Sequence, residues 1–145
     1  MSANALSLIF ASLALVALTF LVSLTMLFTR AREMRSKRVH PQAAATATAM
    51  AARLENVKPA DNFRNLFEVP VLFYSLVAIA LAVGFVPGWL STGAWFFVAL
   101  RAIHSAIHCT YNKVYHRFAV FIASFVLLLA LWVGFAVSVA GQSAV

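Results

Sequence analysis

Arg101, His104, His108, Tyr111 or Asn112, and Tyr115 follow one another at offsets of 0, 3, 7, 10 or 11, and 14 in a stretch that begins apolar. On a helix those steps stack the side chains down one face. An arginine placed about eight residues into a membrane-length helix must face a bundle interior or a wet cavity, because lipid tails solvate it poorly. Its expected counter-charge is Glu68, which stands where another apolar run begins. Two roles are open to such an arrangement. A buried Arg101–Glu68 pair would only fix helix register, whereas a polar stripe lining a hydrated cleft would bind an anion; ionisable groups at membrane depth favour the second.

His104 and His108, at i and i+4, also fit two corners of a metal site. Zinc needs a third ligand, usually a carboxylate or cysteine at short range, and haem needs an axial histidine with a partner across the bundle. Hydrogen bonding within the stripe is the simpler role, so no metal or haem is expected. His40 and His116 belong at a wet interface. The single Cys109 excludes an intramolecular disulfide and reads as a small packing residue.

Asp61, Arg64, Asn65 and Glu68 fall at i, i+3, i+4 and i+7, one helical face that offers two acceptors, a cation and an amide. Asp61 and Arg64 alone read as a helix cap and an interfacial pair of little consequence. Arg117 stands beside Lys113 and His116, and by composition alone is a basic flank of a membrane helix.

The elements that must carry these residues follow from hydropathy. Of the 145 residues 63% are hydrophobic and 10% charged, with a mean hydropathy of +0.92, far from the balance of a water-soluble domain. Apolar runs predict transmembrane spans at about 5–28, 61–86, 93–112 and 117–140, each long enough for a bilayer core of about 30 Å. The fold class is therefore all-α, an integral membrane four-helix bundle occupying 1–145 as one domain. The first run is longer than a signal peptide's apolar core and lacks a basic leader, so it reads as a retained span. Pro70 should kink the second span or mark where its polar turns end, and Val86-Pro87-Gly88-Trp89 is a turn with an interfacial tryptophan.

The net charge of +7 does not point to nucleic acid. Arg30, Arg32, Arg35, Lys37 and Arg38 cluster directly after the first span, and Lys113 and Arg117 join the third and fourth. That asymmetry predicts cytoplasmic basic loops with both termini outside.

With these residues in place, the chain resembles the MAPEG superfamily, the membrane-associated proteins of eicosanoid and glutathione metabolism, over nearly its whole length. Asn65, Glu68 and Pro70 match the family's Asn-x-x-Glu followed closely by proline. Arg101, His104 and Arg117 match the arginine, the histidine three residues on and the catalytic arginine sixteen on that its microsomal glutathione transferases carry. The chain differs at His108, where those enzymes have tyrosine, and at Ala60 and Asp61, near which they have an arginine. The combination resembles a bacterial branch of the superfamily, which implies the inner membrane.

The resemblance implies a homotrimer that binds glutathione as cosubstrate between neighbouring protomers near the cytoplasmic face. It implies a transferase or peroxidase for lipophilic electrophiles or lipid hydroperoxides arriving from the membrane lipid. Arg117 would be catalytic, stabilising the thiolate. Arg101 or Arg64 would bind carboxylate, Glu68 the ammonium or an arginine, and Asn65, His104 and Tyr115 would supply hydrogen bonds; His108 occupies the remaining glutathione-contact position. The alternative is a non-catalytic membrane protein of the same fold that binds lipid or a partner.

Overall fold

The computed structural model describes residues 1–142, and the last residues of the 1–145 domain lie outside that description. Four segments are long and apolar enough to cross a membrane: Ala3–Ser36, Lys58–Val83, Gly88–Cys109 and Val114–Gln142. The first is α1 (Ala3–Ser36), opened by Ser2, whose Oγ accepts from the Ala5 amide at 3.2 Å. Its hydroxyls bond back to the preceding turn, as Ser12 does to the Leu8 carbonyl and Thr19 to that of Leu15, so they enter the bilayer without exposed donors. The helix ends in a left-handed turn at Arg38 (φ 52°).

A short 3-10 turn (Pro41–Ala44) and α2 (Ala47–Ala51) lead to α3 (Lys58–Asn65). This connection is tied to the end of α1: the Glu33 carboxylate accepts from the backbone amides of Glu55 (2.7 Å) and Asn56 (3.2 Å). The Lys37 ammonium contacts Glu55 at 2.8 Å and Glu33 at 2.9 Å, and those carboxylates hold it above the ordinary lysine range.

The second crossing is not one helix. Residues 66–68 form a turn, with Glu68 at φ −96° and ψ −96°, and α4 (Val69–Val83) starts anew with Pro70 in its first turn, where a missing amide costs nothing. Asp61 does not cap a helix either, because α3 starts upstream of it at Lys58. Gly84 closes α4 in the left-handed region (φ 75°), its neighbour Phe85 donating back to the Ala80 carbonyl. Then α5 (Gly88–Cys109) and α6 (Val114–Gln142) complete the bundle.

The helix at its centre is α5, packed against α1, α3 and α6. Its buried stripe runs Leu90, Ala94, Phe97, Arg101, His104 and His108, apolar for half its length and polar for the rest. The apolar half meets Leu8, Ala11 and Leu15 of α1, Phe73 and Ala80 of α4, and Leu128, Leu131 and Phe135 of α6 in one core. Phe73 and Phe97 stack with ring centroids 4.9 Å apart. The outward faces are lined by exposed apolar residues such as Phe20, Leu24, Phe125 and Val137, as suits a chain whose surroundings are lipid rather than water.

Close approach of α5 to α6 depends on Gly93. A Cβ there would collide with Cδ2 of Leu131 and sit 3.4 Å from its Cγ. Gly93→Leu is expected to destabilise the bundle by about 1–3 kcal/mol through overpacking, and the added change Leu131→Ala to recover part of it. Thermal unfolding of the two proteins in detergent measures both effects.

Candidate functional site

The polar half of the α5 stripe is buried as deeply as the apolar half. Arg101 is 0% exposed, His104 2% and His108 5%. Arg101 nonetheless forms no ion pair among the described residues. Its Nη2 donates to the side-chain oxygen of Asn65 and, at 3.5 Å, to the Asn65 carbonyl. The expected Glu68 partner is instead exposed, and accepts from the amide nitrogen of Asn65 at 3.2 Å. The helix break explains the difference. A continuous helix would carry Glu68 onto the face of Arg64 and Asn65, but the turn at 66–68 displaces it and leaves Asn65 standing between the two charges.

The histidines are both engaged with Arg117. Nδ1 of His104 donates to the Arg117 carbonyl oxygen at 3.2 Å, which fixes that tautomer and leaves Nε2 as an acceptor. His108 Nε2 accepts from Arg117 Nη1 at 3.2 Å, so its proton is on Nδ1. Arg117 Nη1 also donates to Asn112 Oδ1 at 2.7 Å. Across from these, the Arg101 guanidinium carbon lies 5.9 Å from the Phe121 ring centroid, within range of a cation–π contact.

Asn65, His104, His108 and Arg117, with Phe118 and Phe121 beside them, border a cleft of about 230 Å³. No acidic side chain lines it. Four buried nitrogens have no hydrogen-bond partner among the described residues: Nε2 of His104 and Nδ1 of His108, whose side chains border the cleft, and Nε and Nη1 of Arg101, which does not border it but bonds to Asn65, which does. Buried polar groups without a partner are rare enough that each calls for a reason. The three donors suit a group rich in acceptors and negative charge, and His104 Nε2, an acceptor, suits a hydroxyl or N–H beside it.

The remaining residues singled out from the sequence lie elsewhere in this chain. Arg64 is exposed, 3.8 Å from Asp61, and borders a different cavity together with Arg30. Tyr115 is 80% exposed. One residue was given no role by the sequence. Asn62 is fully buried, donates to Cys109 Sγ and accepts from Ser105 Oγ, both at 3.3 Å, and so joins α3 to α5. Its four-residue spacing from the buried Leu66 is the signal that it faces inward. Asn112, which the spacing put on the α5 stripe, lies instead in the turn beyond that helix. Among the described residues no three His, Cys, Asp or Glu side chains are close enough to share a metal ion.

Comparison with curated proteins and with solved structures gave no match. A family model, that of the MAPEG family, matches residues 8–137. The match takes in all four crossings and every residue that borders the cleft, and on that coverage the chain belongs to the MAPEG family.

Proposed function

We propose that the protein is a membrane-bound glutathione-dependent transferase or peroxidase for lipophilic electrophiles or lipid hydroperoxides. One observation carries the reading. Arg101 is a fully buried cation with no carboxylate partner among the described residues and with unfilled N–H donors, and its neighbours Asn65 and His104 border a cleft that also receives Arg117. A bundle needing only a register-fixing pair has no reason to leave those donors empty. Membership of the MAPEG family is consistent with glutathione as the thiol.

Glutathione fits the donors present. It carries two carboxylates and a thiol that reacts as thiolate, and the cleft offers cations and N–H groups to both kinds of anion. Arg117 stabilises the sulfur anion, Arg101 draws in a carboxylate through Nε and Nη1, and His104 Nε2 can accept a proton-bearing group. In the transferase reaction the thiol proton passes to solvent and the thiolate sulfur bonds to carbon; in a substitution the carbon–leaving-group bond breaks and the leaving group takes that electron pair, and in an addition the double-bond pair moves to the far atom, which takes up a proton. Phe118 and Phe121 give the reacting partner an apolar approach.

A cleft of about 230 Å³ is smaller than an ordinary ligand pocket, which starts near 300 Å³. One protomer would thus hold only part of the tripeptide. A homotrimer would complete the site, bringing Arg64, Glu68 and Tyr115 of a neighbouring copy against this cleft, with Glu68 receiving the ammonium. The basic loops would face the cytoplasm of a bacterial inner membrane, which places the site within reach of soluble glutathione.

Titrating purified protein with glutathione at pH 7 tests the reading. Ultraviolet absorbance of the thiolate should grow and saturate. A non-catalytic lipid- or partner-binding protein of this fold would give no such signal, and a flat titration would overturn the assignment.

A further inference from the structure

Arg117 is held from one side only. Its Nη1 serves both Asn112 Oδ1 at 2.7 Å and His108 Nε2 at 3.2 Å. An arginine carries two N–H donors on each Nη and one on Nε. Nη1 is therefore saturated, while Nη2 and Nε have no acceptor among the described residues, and the side chain borders the cleft. The amide must present its oxygen here, since the opposite orientation would set two donors face to face.

Asn112 sits in the left-handed region (φ 50°) of the turn between α5 and α6, its own amide donating to the Ile107 carbonyl at 2.9 Å. That conformation suits glycine best and asparagine better than most other residues. The turn alone would be served better by glycine. We propose that Asn112 is a positioning residue for Arg117: with His108 it clamps Nη1 and so directs the free Nη2 and Nε donors at the cleft. The thiolate part of its consequence rests on the glutathione reading above; the clamp itself does not.

The two demands on Asn112 separate in Asn112→Gly, which keeps the backbone conformation and removes the acceptor. The full-length protein in detergent should then unfold at the same temperature or higher. Labelling with phenylglyoxal, read by peptide mass spectrometry, should modify Arg117 several-fold faster than in the parent protein, with exposed Arg35 in the last turn of α1 as an unchanged reference. Under glutathione titration the thiolate midpoint should move up by about one pH unit, a tenfold loss of thiolate below the midpoint. Asn112→Ala loses the acceptor and strains the turn, so it should show the same labelling change with a lower unfolding temperature. Unchanged Arg117 labelling in Asn112→Gly would overturn the proposal, because a turn-forming role alone predicts that result. If the labelling changes while even the parent protein forms no thiolate, the clamp stands and the glutathione reading falls instead.

Discussion

Arg117→Ala is expected to conjugate glutathione at pH 7 roughly 30-fold more slowly than the parent protein, because an unassisted thiol with a pKa of about 8.5 is only about 3% thiolate at that pH. The sign follows from charge. A guanidinium beside the sulfur favours the ionised form and lowers the thiol's pKa, so removing the guanidinium raises it. The parent protein's rate should be flat from neutral pH upward, since its bound thiol is already ionised. The variant's rate should climb about tenfold per pH unit until it levels near pH 8.5, and the deficit should shrink with it. Arg117→Lys keeps the cation but loses the fork that meets Asn112 and His108 together, and should recover only part of the rate. Steady-state rates at saturating glutathione with a generic aryl halide, across the pH range, measure all three proteins. A deficit as large at pH 9 as at pH 7 would remove Arg117 from the neighbourhood of the sulfur.

The crossings and the polar stripe of α5 were legible because both depend on local spacing. Apolar runs of membrane length announce themselves, and Arg101, His104 and His108 share a face on any helix that contains them. What surrounds the stripe depended on places where the helices stop. The turn at 66–68 turns Glu68 outward and hands Arg101 to Asn65, an exchange invisible to a reading that carries one helix from Asp61 onward. Likewise Arg117 reaches His108 and Asn112 only because the chain reverses through a left-handed asparagine. Tyr115 had the right offset for the α5 stripe, yet it lies beyond that helix, which ends at Cys109. Periodicity projects a residue onto a face only as far as the helix lasts.

That exchange at Asn65 decides what should happen on replacing Arg101 with methionine, an unbranched side chain that is shorter and uncharged. In a buried ion pair, removing one partner strands the other and costs about 3–5 kcal/mol. Here nothing is stranded in that way: Glu68 is exposed and already bonded to Asn65, and no carboxylate pairs with Arg101 among the described residues. The Asn65 oxygen loses its donor, but Asn65 borders the cleft, where water can replace it. Removing a buried cation should therefore leave the fold as stable as before, or more stable by about 1–4 kcal/mol. The ligand is what should suffer. Charge-assisted hydrogen bonds contribute about 1.5–3 kcal/mol each, so glutathione affinity should weaken about 10- to 100-fold even if only one is lost. Thermal unfolding in detergent and a glutathione titration, made on the same preparation, report the two quantities side by side. A sharp drop in unfolding temperature with unchanged affinity would make Arg101 a structural residue. Undiminished stability with lost binding would mean that the bundle carries this guanidinium for its guest, since the helices around it would have been shown to pack as well without it.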